Sequence, residues 1–253
     1  MSTLAIISDL HSNIESLTEV LKDIEAQGIR DIVCLGDVIG YGPNPRDVLR
    51  HALNWRWCLR GNHEDALLFL AMDFNPEAAR AIDWTRTQIN AKEAPKEENH
   101  TFWNFLGGLT DQQEENGVQF VHASTTPGMT TKEYVRPIDA GNPKKLSGIF
   151  DRIRKVCFYG HTHEPGVFTQ DYKFYTPAAF NGKFKLAEGR KYFVNVGSTG
   201  QPRDGDTRCC YVTFDGEVIT FRRLEYDYKA TMKKIYDTQQ IPRRFADRLE
   251  KGR

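Results

Sequence analysis

LAIISDLHSNIESLTEVLKDIEAQGIRDIVCLGD, residues Leu4 to Asp37, is the stretch whose reading decides the fold. LAIIS is apolar up to Ser8 and stops at Asp9; DIVCLG repeats the pattern and stops at Asp37. Between them Ile14, Leu17, Val20, Leu21 and Ile24 recur at the spacing that lays one apolar stripe along a helix. Ser12 with Glu15 reads as a capping box at its start, and Gly28 closes it. Short, continuous apolar runs mark strands buried on both faces. Strand, helix, strand therefore predicts a covered, largely parallel sheet in an α/β protein.

Outward from there, PRDVLRHAL is a short helix opened by Pro45, and WRWCLRG is a third strand. From Glu64 to Leu109 the pattern turns helical, in EDALLFLA, PEAARAIDWTRTQINA and HTFWNFLGGL, with the polar AKEAPKEENH as a loop. This insert, residues 64–109, carries Phe69, Trp84, Trp103 and Phe105, expected in the core or between insert and body; a substrate-binding cap is the alternative. Strands resume at VQFVHAS, KVCFYG, KYFVNVG and RCCYVTF, the last turning through DGE into VITFRRLEY. The tail, residues 227–253, reads as helix, break at Pro242, helix. No repeat or linker divides the 253 residues, so a single domain spanning 1–253 is expected.

Lys plus Arg and Asp plus Glu both number 34, which argues against a general basic field for nucleic acid or an anionic membrane. No run approaches the ~18 apolar residues that span a bilayer, and the N-terminus lacks the basic region of a signal peptide. The five cysteines lie mostly in strand-like runs without a CxxC pair, and Cys209 and Cys210 should face opposite sides of one strand. That usage predicts reduced structural thiols in a cytoplasmic protein and excludes a structural zinc site.

The chemistry lies in how the strands end. The first ends in Asp9, with His11 two residues on; the second in Gly36-Asp37; the third in Gly61-Asn62-His63-Glu64. VQFV ends in His122, and KVCFY in Gly160-His161-Thr162-His163. Ligands of open α/β sheets bind at the carboxyl ends of strands. One Asp or His there is usually a turn-former or a satisfied core group, but five strands delivering them to one edge leave many desolvated polar groups in need of partners. A divalent metal satisfies imidazoles and carboxylates together, and there is room for two ions. Asp9 and His11, or His161 and His163, point to the same side if extended, so each pair can reach one ion or straddle two. Without thiolates, the set favours manganese, iron, nickel or catalytic zinc.

Asp-x-His, Gly-Asp, Gly-Asn-His-Glu, His and Gly-His-x-His, in this order and each after a strand, resemble the motifs of the calcineurin-like metallophosphoesterase superfamily. NVGSTGQPRDGD further on resembles a signature of its small prokaryotic phosphoesterase branch. The resemblance implies an α/β/β/α sandwich of two packed mixed sheets flanked by helices. It implies one metal on Asp9, His11 and His163, a second on Asn62, His122 and His161, Asp37 bridging, and His63 beside the leaving group without binding metal. The function then expected is hydrolysis of phosphomono- or phosphodiesters with two divalent ions, manganese the best in vitro, by attack of a metal-bridging hydroxide with His63 assisting as acid. A scaffold that has lost catalysis would lack a ligand or the histidine; none is missing.

Small phosphate esters or nucleotides are the expected substrates. Protein Ser/Thr phosphatase or dinucleoside polyphosphate hydrolase activity is the alternative. Against the former, Gly40 and Tyr41 in GDVIGYGPNP stand where that pattern has an aspartate and an arginine. Arg203 is the candidate phosphate contact, a turn-capping role through Asp204 or Asp206 being the alternative, and Tyr41 the candidate pocket residue, a packed or solvent-facing turn residue being the favoured alternative. Arg60 is expected to pair with a carboxylate, Asn195 and Ser198 to support the His161 loop, and His51 and His100 to lie on the surface.

Overall fold

The structure is a computed structural model that describes residues 2–69, 71 and 74–253. The chain opens β1 (Leu4–Ile7), α1 (Ile14–Ala26), β2 (Asp31–Cys34), α2 (Pro45–Ala52), β3 (Trp57–Cys58), α3 (Asn62–Leu68). The insert continues with α4 (Pro76–Ile89) and α5 (Lys96–Gly107). Then come β4 (Gln112–Glu115), β5 (Val118–Val121), α6 (Pro143–Arg152), β6 (Val156–Tyr159), β7 (Gly166–Thr169), β8 (Phe174–Tyr175), β9 (Lys183–Lys185) and β10 (Tyr192–Asn195). The hairpin β11 (Cys209–Phe214) and β12 (Val218–Leu224) leads to α7 (Tyr228–Thr238) and α8 (Arg244–Asp247).

The strands form two six-stranded mixed sheets, ordered β3-β2-β1-β11-β12-β9 and β4-β5-β6-β10-β7-β8. Each has a parallel block, β3-β2-β1 in one and β5-β6-β10 in the other, with antiparallel neighbours outside it. Alternation along β1 explains the layering. Ala5 and Ile7 pack under α1 and α2, whereas Leu4 and Ile6 face the second sheet with Phe120, Phe158 and Val194. The far face of the second sheet, with Phe168 and Phe193, packs on Leu146, Ile149 and Phe150 of α6. The result is the α/β/β/α sandwich expected. Cys209 and Cys210 face opposite layers, and all five cysteines are free and buried. Among the described residues no helix is long and apolar enough to cross a membrane.

Several local expectations are corrected. Asn13, not Ser12, caps α1, its side chain accepting from Ser16 N at 3.2 Å. AKEAPKEENH is not all loop, because Pro95 precedes a helix that starts at Lys96. The polar QQEE forms strand β4 in a hairpin whose Asn116-Gly117 turn has φ of 52° and 77°, as the tightest hairpins require. Of the insert aromatics, Trp84 is buried and Trp103 and Phe105 are half-buried against the core, but Phe69 is 65% exposed. Leu70, in the stretch read as helical, lies outside the described residues. Trp84, Ala78 and Ala81 of α4 pack with Ile235, Phe245 and Leu249, so insert and tail share a small core of their own.

Candidate active site

The loops leaving β1, β2, β3, β5 and β6 meet where the carboxyl ends of the two parallel blocks converge. Asp9, His11, Asp37, His63, His122, His161 and His163 are all buried there, and Asn62 is half-buried beside them. The pairs are not extended, as the alternation argument had supposed. Asp9, His11, Asp37, His161 and His163 have φ of 53°, 46°, 52°, 61° and 61°, left-handed turns that turn each side chain inward. Such conformations cost about 1–3 kcal/mol each in a non-glycine residue and persist where surrounding structure enforces them. Gly160 shows the enforcement: a Cβ there would sit 2.3 Å from Asp9 Oδ2, so only glycine lets the His161 loop close on Asp9. His161 N then donates to both Asp9 oxygens, at 3.1 and 3.0 Å.

Three imidazoles are oriented from behind. Nδ1 of His122 lies 2.9 Å from Leu35 O, that of His163 2.5 Å from Gln201 O, and that of His11 3.4 Å from Ile39 O. A carbonyl can only accept, so each Nδ1 carries a hydrogen; the neutral rings of His11 and His163 turn an Nε2 lone pair inward, and His122 presents its Nε2 to the same space. There the lone pairs meet other acceptors. His11 Nε2 faces His163 Nε2 at 3.1 Å, and His163 Nε2 lies 3.2 Å from Asp9 Oδ1. Asp37 Oδ2 lies 3.5 Å from His122 Nε2, 3.7 Å from His11 Nε2 and 4.0 Å from His63 Nε2. Asn62 Oδ1 lies 3.1 Å from His122 Nε2 and 2.9 Å from His161 Nδ1, while His161 Nε2 has no hydrogen-bond partner among the described residues. Buried acceptors that face one another require protons or cations between them.

Burial lowers His11, His163 and His161, the last to about 3, which leaves these imidazoles neutral and able to donate a lone pair. Burial also pulls on His122, but the Asp37 carboxylate outweighs it and lifts the ring to about 9. For Asp9 and Asp37 burial alone would raise the pKa; His163 beside Asp9 and His122 beside Asp37 win, and both carboxyls stay ionised. The residues therefore fit divalent cations. Asp9, His11 and His163 form one group able to hold an ion, and Asp37, His122 and His161 form another. A third group, His11, Asp37 and His63, lies between them.

Around this cluster, His63 is buried, held low at about 4 by its burial, and its Nδ1 has no hydrogen-bond partner among the described residues. Its ring is packed between Tyr41 at 4.3 Å, His11 at 4.5 Å and Phe74 at 5.0 Å. Tyr41 in turn stacks on Phe245 of α8 at 4.4 Å. Arg203 lies 6.0 Å from the Tyr41 ring and hydrogen-bonds Gln201 at 2.8 Å. Its turn-capping alternative does not occur: Asp204 pairs with Arg223 and Asp206 with Arg208. Arg60 pairs with Asp65 at 2.8 Å. Asn195 donates to Gly160 O at 2.7 Å and Thr162 Oγ1 at 2.9 Å, and Ser198 donates to Asp9 O at 2.8 Å, so both brace the cluster. His51 and His100 are exposed.

Two residues went unread in the sequence. Glu64, wholly buried, accepts from the backbone N–H groups of Asp37, Val38, Ile39 and Gly61, tying the Asp37 loop to the Asn62–His63 turn. Burial lifts its carboxyl to about 7, with the Asp37 charge adding to the rise. Its signal was present, since it sits three residues after the helix cap Gly61. Tyr134, whose ring lies 4.2 Å from His161, carries no signal because it comes from an irregular loop.

A model of the calcineurin-like phosphoesterase superfamily domain matches residues 2–217. An uncharacterized protein of Methanocaldococcus jannaschii is 35% identical over 259 residues, covering 100% of this chain and 99% of its own. A metallophosphoesterase from Sphaerobacter thermophilus, known from its crystal structure, is 31% identical with a TM-score of 0.78 over 99% of both chains. A hypothetical protein from Pyrococcus horikoshii OT3, 16% identical, has the same fold with a TM-score of 0.78 over 100% of this chain and 99% of its own. With that match running from the first strand through the strand after its last motif, the chain belongs to the calcineurin-like phosphoesterase superfamily.

Proposed function

We propose that the protein hydrolyses phosphate esters with two divalent cations, one held by Asp9, His11 and His163, the other by Asn62, His122 and His161, with Asp37 shared between them. Membership of a phosphoesterase superfamily supports hydrolase activity in general. The observation that carries the finer reading is the set of buried imidazole nitrogens and side-chain oxygens that converge at 3.1–3.7 Å from one another. Donor atoms around one such cation stand about 3.0–3.5 Å apart, since each lies ~2.0–2.2 Å from it.

When bound, two divalent ions supply positive charge for phosphoryl oxygens and lower the pKa of water toward ~7. The chain's residues do the rest. Asn62 offers a neutral oxygen and adds no repulsion toward an anionic ester. Asp37 places one carboxylate among three imidazoles. His63 hands a proton to the leaving oxygen. Burial holds its ring neutral, and a phosphate dianion alongside raises its proton affinity until it can do so. Arg203, whose charge bears on His11, His63 and His163, balances the substrate's charge at the rim. Phosphomono- or phosphodiesters of small molecules or nucleotides are the substrates in this reading, and the cytoplasm is its place. Manganese, iron, zinc and nickel all suit the donors, with manganese the choice for assay.

The test is hydrolysis of p-nitrophenyl phosphate and bis(p-nitrophenyl) phosphate, alongside metal analysis of untreated protein. Turnover is expected to vanish on chelation and return with Mn²⁺. Chelator-resistant turnover contradicts the metal role; no turnover with two bound ions supports a binding scaffold instead.

A further inference from the structure

A cleft of about 710 Å³ opens beside the cluster and shares Asn62, His161 and Tyr41 with it. That is far more room than a phosphate group fills and lies within the ~300–1,000 Å³ of sites that bury drug-sized ligands. Its walls come from Phe69, Phe74 and Asn75 on one side and the loop between β5 and α6 on the other. They present Phe69, Phe74, Met129 and Tyr134. Five large hydrophobic side chains are exposed among the described residues, and two of them line this cleft: Phe69, 65% exposed, and Tyr134, 48%.

Several polar groups of the same walls pair with one another. Arg60 pairs with Asp65, Asp65 accepts from Thr131 Oγ1 at 2.7 Å, and Asp111 accepts from Thr130 Oγ1 at 2.8 Å. Beside them the cleft offers a ligand aromatic surface, and the ring of Tyr134 lies 4.2 Å from His161. Water gains nothing from such faces, whereas a planar ring stacks on them whatever its hydrogen-bonding pattern.

We propose that Phe69 and Tyr134 bind a planar aromatic group on the leaving side of the ester, so that the substrates are nucleoside or other aromatic phosphates rather than alkyl or sugar phosphates. This rests on the phosphoesterase reading above. The chemistry leaves one product, a phosphate or phosphomonoester, at the cluster and the ring-bearing alcohol in the cleft.

Adenosine 5′-monophosphate and ribose 5-phosphate differ by the base alone. Their inhibition constants against hydrolysis of whichever p-nitrophenyl ester is turned over measure what the cleft adds. The nucleotide is expected to bind roughly 5- to 150-fold more tightly, the range of base–aromatic stacking. Phe69→Ala should shrink that ratio toward unity, while Tyr175→Ala, an exposed ring outside the cleft, should leave it intact. Calorimetric titration of the two ligands reads the same ratio without turnover. Equal constants for the two ligands, or a ratio indifferent to Phe69→Ala, overturn the inference and leave the phosphoesterase reading standing. Failure to hydrolyse either ester rejects that reading and this inference with it.

Discussion

Asp37→Asn is expected to cut the bound metal from two ions to one or none and to slow hydrolysis of an aryl phosphate by a factor on the order of 10³. The size follows from position. Asp37 Oδ2 lies within 4.0 Å of His11, His63 and His122 together, so its charge is felt on both sides of the cluster. Asparagine keeps the shape, and its oxygen can still accept from His63 N, the 2.9 Å bond that Asp37 Oδ1 now makes. The loop should therefore stay folded, and the loss would be one of charge. His122, lifted to about 9 by that carboxylate, should drop in pKa in the metal-free variant. Metal content by elemental analysis and turnover under saturating Mn²⁺ check both halves. Two ions and full turnover would remove Asp37 from between the metals.

Gly40→Ala should fall almost as hard, by about 10²–10⁴ in turnover, with both metals retained. A Cβ at Gly40 would lie 2.1 Å from His63 Nδ1, and φ of 88° there is a conformation alanine adopts only under strain. Among the described residues no hydrogen bond fixes that nitrogen. The ring is held by packing against Tyr41, His11 and Phe74, so the empty space at Gly40 is part of what positions it. His63→Ala should show the same loss, and combining the two changes should add little because they remove one function. Turnover of Gly40→Ala close to that of the unaltered protein would show that His63 tolerates displacement and is no proton donor.

The sequence displayed β1, α1 and β2 plainly because burial on both faces forces unbroken apolar runs, and burial on one face forces a helical stripe. The polar β4 was hidden, as edge strands facing solvent carry no such demand. The site was legible for a related reason. Asp9, Asp37, His122 and His161 each follow a run that must be strand, so their place at a sheet edge came with the strand. The means of convergence was not legible. Left-handed turns at Asp9, His11, Asp37, His161 and His163 depend on loops from other strands pressing on them, and no local signal in aspartate or histidine announces that. The aromatic chain from His63 through Tyr41 to Phe245 spans most of the chain's length, and only packing of the tail on the insert creates it. The same holds for Phe69, whose exposure the helical spacing could not disclose.

The most direct measurement is anomalous diffraction from crystals of the protein grown with Mn²⁺. Two peaks about 3.5–4 Å apart are predicted, with Asp37 between them, Asp9, His11 and His163 around one, and Asn62, His122 and His161 around the other. Density for water alone amid those side chains, or manganese bound only elsewhere on the protein, would contradict the account.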